Sequence, residues 1–247
     1  MKVNAFIAVR GGSTRVPFKN FRIINGKPLY EHLTDESLKC KEISNLFINT
    51  DTKFILNYAK DNYGDCLNYY LRDPLLGTSD ATLDEYVYDF MLKYPSDICI
   101  FLNPCSLFLK AETIDNAIRY FIKNNLDSCV ASEVIQTHCF YNNRSVNFNF
   151  NQKQPRSQDL VPIHAMTSGF FIWNNLTFIR EYESRGSANF CGKFESFGVS
   201  HIEAIDIDEE NDMLLAEAYA LLLKKDRVIR YPDVVEKAIK NKVLRMN

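Results

Sequence analysis

Short apolar runs alternate along this chain with stretches whose apolar residues recur at helical spacing. Val3 to Val9 is an apolar run followed by Gly11-Gly12, the pattern of a buried strand leaving its sheet at the carboxyl end. Leu29 to Cys40 reads as a helix and Leu46 to Thr50 as a strand. "KFILNYAKDNYG" then reads as a helix with Phe54, Ile55, Tyr58 and Ala59 on one face, stopped at Gly64. "CLNYYL" is the next strand, and Thr82 with Glu85 has the capping-box spacing that opens a helix through "TLDEYVYDFML". "DICIFLNP" reads as a buried strand broken by Pro104, "ETIDNAIRYFIKNN" as a helix, and "DSCVASEV" as another strand.

Strands alternating with helices predict an α/β fold: a Rossmann-like, mostly parallel sheet flanked by helices, with its ligand site at the carboxyl ends of the strands. From 137 to 168 the alternation lapses into a stretch rich in Asn, Gln and aromatics, where "SVNFNFN" alternates like an exposed hairpin strand. This predicts an inserted arm within a single domain spanning 1–247. Regularity returns with "SGFFIWNN", a helix over Leu176 to Tyr182, a strand at "HIEAIDI" and a helix over Asp212 to Leu223. A last amphipathic helix with a basic end is expected in "RYPDVVEKAIKNKVLRMN".

Composition narrows the partners. A formal charge of −2 gives no overall electrostatic footprint for nucleic acid or anionic lipid, so any positive site is local. No apolar run is long enough to cross a membrane, and the opening one is too short for a signal-peptide core, so a cytoplasmic protein is expected. Seven scattered cysteines without CxxC read as buried thiols of a reducing compartment rather than a zinc site.

The loop "RGGSTRVPFKN" after Val9 holds more than a turn requires. Backbone amides of Gly11, Gly12 and Ser13 and charge-assisted donors from Arg10, Arg15 and Lys19 suit a triphosphate; the alternative for each cation is a solvated or sheet-capping role. The loop matches neither GxxxxGK[ST] nor GxGxxG. Near the other end of the chain, Asp206 and Asp208 alternate in "IDIDEEND", project to one side and suit a shared Mg²⁺; the alternative is a solvated acidic turn capping the next helix.

"AVRGGSTRVPFKN" resembles the ARGGSxxxPxKN signature of the CMP-sugar synthetases, cytidylyltransferases of the nucleotide-diphospho-sugar transferase type that activate sialic acid, related nonulosonic acids and Kdo. Five more stretches follow in that family's order. "NGKPL" is similar to its GKPL, "INTDTKFILNYAKDNYG" to its STD segment, and "RDPLLGTSDATLDE" to its RPxxLAxDxA. "LNPCSLFL" is similar to its LQPTSPLR with Asn103 in the glutamine position, and "IDIDEENDMLLAEA" to its DIDxxxDFxxAE. The resemblance implies Mg²⁺-dependent transfer of CMP from CTP to the anomeric hydroxyl of an acidic sugar, with release of pyrophosphate, in a homodimer joined through the arm.

By the same resemblance Arg10, Lys19 and Asp208 are catalytic. Gly11, Gly12, Ser13, Arg15, Asn20, Arg72 and Asp80, with Thr82 nearby, bind the nucleotide, and Asp206 and Asp208 hold the metal. Asn103, Ser106, Arg156, Gln158 and Ser168 are candidates for the acceptor, the side on which the chain departs from the family: Ser168 stands for an asparagine, and "LFL" after Ser106 removes an arginine. Arg144, Lys153, Arg156 and Gln158 suit an acceptor carboxylate or plain solvation, and Phe148, Phe150 and the residues near Val161 suit a subunit interface. His164 is either a general base or a packing residue. Two other readings stay open: a same-fold enzyme acting on Kdo or a phosphonate, and a catalytically silent nucleotide-binding protein.

Overall fold

The computed structural model describes residues 1–12 and 15–223; Ser13 and the helix expected after Arg230 lie outside the described residues. Strand β1 (Val3–Ala8) leads through a hairpin, β2 (Ile23–Ile24) and β3 (Lys27–Pro28), to helix α1 (Leu29–Ser37). Then β4 (Asn45–Thr50), α2 (Lys53–Tyr63), β5 (Asn68–Leu71), α3 (Leu83–Lys93), β6 (Ile98–Leu102), α4 (Ala111–Lys123) and β7 (Ser128–Ile135) alternate. A small hairpin, β8 (Phe140–Tyr141) and β9 (Arg144–Ser145), precedes β10 (Ile163–Asn174), α5 (Asn175–Arg185), β11 (Phe194–Val199) and α6 (Glu210–Leu223).

Seven strands form one sheet in the order β11-β7-β10-β6-β1-β4-β5. Every neighbouring pair is parallel except those made by β10, which runs antiparallel to both β6 and β7. The chain moves outward from β1 to β4 and β5, then returns to β6 on the other side of β1. That reversal leaves a crevice outside the carboxyl ends of β1 and β6, the place where open α/β sheets bind ligands. Both faces of the sheet are covered: Ala5 and Ile7 of β1 pack with α1, α2 and α4, whereas Phe6 packs with α3 and α5. Two-sided burial is why β1, β4 and β6 read as apolar runs rather than alternating strands. A third cluster joins Val16, Ile24, Cys105 and Ile207 to Met213, Ala216 and Ala220 of α6. It fastens the opening loop, the segment after β6 and the approach to α6 together.

Local signals account for the element ends. The Thr82–Glu85 capping box is present in full, and Gly64, at φ 51°, ends α2 in a backbone region where a side chain is strained. Two strand expectations were displaced. "HIEAIDI" is not a strand: the Glu203 carboxylate accepts from the Ser200 N–H and hydroxyl and from the Lys110 N–H, folding 201–204 into a turn. The sheet edge beside β7 is taken instead by β11, "FESFGV", a half-exposed edge strand without the signature of a buried run. In the arm the hairpin lies over Phe140–Ser145, turned at Asn142-Asn143, both at positive φ, and "VNFNF" is irregular. Its Phe148 and Phe150 close an aromatic cluster with Phe140. Ile135 and Ile163 are register partners, so 136–162 leave and rejoin the sheet at one point, and 163–168 lie in β10.

Candidate active site

A cleft of about 260 Å³ opens at the switch between β1 and β6, walled by Arg10 and Gly12, by Lys19 and Asn20, by Asn103 to Cys105, and by Asp206 and Asp208. Phe18 adopts a left-handed conformation (φ 52°) that turns the chain into the short 3₁₀ segment Lys19–Phe21. Lys19 Nζ donates to the Ile207 carbonyl at 2.5 Å and lies 3.5 Å from Asp208 Oδ1, to which Arg15 donates at 2.6 Å. The Arg15 and Asp208 side chains are 62% and 43% exposed, so their pair contributes at most about 1 kcal/mol. So weak a pair leaves Arg15 free to exchange Asp208 for another anion.

The glycines divide the loop. The Gly11 N–H donates to Asp51 Oδ1 at 3.0 Å, so this amide is engaged within the protein instead of turning to an oxyanion; Gly12 lines the cleft. A Cβ on Gly11 would meet Thr52 Cγ2 at 2.9 Å, and one on Gly77 would collide with the Asp51 carboxylate. Asp51, which lines the neighbouring cavity, thus braces the opening loop from outside the cleft, a role the sequence reading missed. Its signal was in the topology: β4 pairs parallel with β1, which sets the residue after Thr50 beside the loop after Ala8.

Arg72 is 3% exposed, donates to the Asn49 carbonyl and Oδ1 at 3.3 and 3.1 Å, and stacks on Tyr86 at 5.3 Å. Burial lowers its pKa, against which the nearby Asp51 charge acts. It lines a neighbouring cavity and touches the cleft only through Tyr86, the cleft-wall ring on which it stacks. Asn20 is buried in the cleft wall with Oδ1 unpartnered, whereas Asp80 is exposed and its neighbour Ala81 lines the cleft in its place. Burial pushes the Cys105 thiol up to about 11, against the lowering effect of Lys19, so it is a neutral wall rather than a nucleophile.

The acidic segment resolves two readings onto different residues. Asp212 Oδ2 accepts from the Asp208 and Glu209 N–H groups at 2.8 Å each and so caps the approach to α6. Asp206 and Asp208 are left facing the cleft, with Ile207 between them in the core. Asp206 Oδ2 accepts from the Ser168 hydroxyl, while Oδ1 is buried with no partner. Burial, with a smaller contribution from Asp208, raises the Asp206 pKa against the opposing pull of Ser168 and Lys19. Among the described residues no three His, Cys, Asp or Glu side chains form a metal cluster. Two carboxylates, one with the unpartnered buried oxygen Asp206 Oδ1, fit a hard cation such as Mg²⁺ that would complete its shell with other oxygen donors.

The acceptor candidates separate. Asn103 lines the cleft and donates to Ser168. Ser106 is 2% exposed beneath the cleft, its N–H bonded to the Asn103 carbonyl at 3.0 Å. Arg156 and Gln158 do not line the cleft: Arg156 pairs with Asp159 at 2.8 Å on the arm surface, and the Gln158 carbonyl accepts from Gln136. His164 Nδ1 lies between the Ser132 and Ser196 hydroxyls at 2.9 and 3.1 Å, a sheet-packing position.

Comparison with known proteins identifies the family. An N-acylneuraminate cytidylyltransferase of Streptococcus agalactiae serotype V is 24% identical over 242 residues, which are 92% of this chain and 57% of that protein. The CMP-N,N'-diacetyllegionaminic acid synthase of Legionella pneumophila is 33% identical over 123 residues, 48% of this chain and 52% of the relative. The chain thus spans little more than half the length of these curated relatives. The solved structure of a CMP:2-keto-3-deoxy-manno-octonic acid synthetase complexed with CTP shares the fold, with a TM-score of 0.65 at 16% identity over 91% of this chain and 99% of that one. The family model for cytidylyltransferases matches residues 5–219, which takes in the opening loop, the cleft and the acidic segment, and the chain belongs to that family.

Proposed function

We propose that this protein transfers CMP from CTP to the anomeric hydroxyl of a sialic acid-like nonulosonic acid and releases pyrophosphate. The observation that carries the reading is the cleft itself, where Arg10, Arg15 and Lys19 from one end of the chain meet Asp206 and Asp208 from the other. Relatives named for N-acylneuraminate and diacetyllegionaminic acid support the acceptor class.

In this reaction the anomeric oxygen bonds to the α-phosphorus, the bond from that phosphorus to the α,β-bridging oxygen breaks, and its electron pair leaves with pyrophosphate. The hydroxyl proton passes to solvent. Arg10, Arg15 and Lys19 hold the β- and γ-phosphates and neutralise the charge that builds on the leaving group. Asn20 Oδ1 offers an acceptor to the nucleoside, and Arg72 steadies Tyr86 behind it. Asp206 and Asp208 would hold Mg²⁺, which when bound supplies Lewis acidity toward the phosphate oxygens. In the same reading the exposed Phe140, Val146, Phe150 and Val161 of the arm meet a second copy in a homodimer.

The test is pyrophosphate release from CTP and Mg²⁺ with a panel of nonulosonic acids, Kdo and phosphonates, each omitted in turn. Release that depends on a nonulosonic acid is expected. Dependence on Kdo or a phosphonate would overturn the acceptor class, and CTP binding without release under any condition would overturn the transferase.

A further inference from the structure

We infer that Ser168 is a positioning residue: it is the middle member of a hydrogen-bond relay from Asn103 that aims the Asp206 carboxylate at a divalent cation, rather than a contact to the acceptor sugar. The inference rests on the reading of Asp206 as a cation ligand.

The relay has a direction set by proton count. Asn103 follows β6, and its backbone N–H donates to the Gly169 carbonyl of β10 at 3.0 Å. Its side-chain Oδ1 accepts from the Cys105 N–H at 3.1 Å. That bond fixes the orientation of the amide, because a carboxamide that accepts on one side must present its NH₂ on the other. The NH₂ donates to Ser168 Oγ at 2.8 Å. A serine hydroxyl carries one proton, and with its oxygen already accepting from Asn103, that proton goes to Asp206 Oδ2.

The far end of the relay is incomplete. One Asp206 oxygen is satisfied and the other is buried without a partner, an arrangement that is costly until a cation or donor meets it. Metal-binding carboxylates are held by such outer hydrogen bonds, which fix which oxygen is presented. The two side-chain donors of the relay are also two of the positions where this chain departs from the family it resembles: asparagine for glutamine at 103 and serine for asparagine at 168. The hydroxyl of Ser168 is therefore spoken for on both sides, with no proton left to offer a sugar.

The experiment is a Mn²⁺ titration followed by electron paramagnetic resonance, with α,β-methylene-CTP present, on wild type, Ser168→Ala, Ser168→Thr, Asn103→Ala and Asp206→Asn, each checked by thermal melting. Ser168→Ala is expected to weaken Mn²⁺ binding about 10- to 100-fold. Ser168→Thr, which keeps the hydroxyl, restores binding to near wild type. Asn103→Ala weakens it in the same direction, and the affinity for the CTP analogue in EDTA stays unchanged in Ser168→Ala. Wild-type Mn²⁺ affinity in Ser168→Ala, beside a loss in Asp206→Asn, overturns the relay and leaves the cation site standing. Wild-type affinity in Asp206→Asn overturns the cation site itself. A rise in acceptor KM in Ser168→Ala without a change in Mn²⁺ affinity returns the serine to the acceptor and also overturns the relay.

Discussion

The cleft and the arm are both polar and rich in hydrogen bonds, yet they are held in opposite ways. In the cleft, Arg15 reaches Asp208 across 193 residues, Lys19 reaches Ile207 across 188, and Gly11 reaches Asp51 across 40. In the arm, Arg156 bonds Asp159 three residues on, and Asn149 bonds the Asn151 N–H two residues on. The cleft therefore exists only once the whole sheet has formed, whereas the arm coheres locally and hangs from the β7–β10 pair. Charges that converge from distant parts of a chain are placed by the fold; charges paired with their neighbours are free to be surface.

The largest effect is expected at Asp208. Asp208→Asn keeps the shape and the backbone bonds to Asp212 but removes a charge from the cleft, so Mg²⁺-dependent turnover should fall about 10²- to 10³-fold, as for loss of a transition-state electrostatic contact. Turnover against Mg²⁺ concentration, with circular dichroism melting as the folding control, checks it; an unchanged Mg²⁺ response means that the cation lies elsewhere. Lys19→Ala comes next. Its side chain is 14% exposed and bonds one carbonyl, so stability should fall by only about 1 kcal/mol, while kcat/KM falls roughly 10²-fold through the lost phosphate charge. Equal losses in stability and turnover would make Lys19 a strut instead.

The same division decides what could be read from the chain alone. The strands and helices of the first half were legible because their apolar residues recur at periods the sheet and helix impose, and the residues of the cleft were legible because a basic glycine loop and a pair of carboxylates at opposite ends of the chain fell in the first and last of the family's motifs. Asp51 was not, since its role comes from strand pairing between β1 and β4. Arg156 and Gln158 were read toward the acceptor because polarity in an arm looks the same whether it faces a ligand or water. β11 was missed for a related reason: an edge strand with one covered face and several polar residues has no run to see.

A smaller effect separates structure from chemistry at Asp206. Burial raises its folded-state pKa, so the charged form is the costly one. Without a cation that cost is present above the folded-state pKa and is relieved as the pH falls through it, because the folded protein binds the proton more tightly than the unfolded chain. Asp206→Asn should therefore melt a few degrees above wild type in EDTA at neutral pH, with the gap closing toward acid, while turnover is lost. A lower melting temperature for the variant at neutral pH would mean that Lys19 and Ser168 already offset the buried charge.

The smallest effect is expected in the arm, and it bears most directly on the contrast. Arg156 is 73% exposed and its ion pair with Asp159 is an i,i+3 surface contact, worth little in water. Gln158 is exposed, and its hydrogen bond to Gln136 is made through its carbonyl, which substitution leaves in place. Arg156→Ala with Gln158→Ala should thus change acceptor KM by less than about threefold and leave the melting temperature within a degree or so, as surface substitutions away from packed contacts do. A tenfold rise in KM would mean that these side chains reach a cleft they do not line within one protomer. Dilution then tells how: in an arm-joined dimer the reaching arm belongs to the partner subunit, so the KM difference between variant and wild type disappears at concentrations where the protein is monomeric, whereas a difference that survives dilution places the arm over its own cleft.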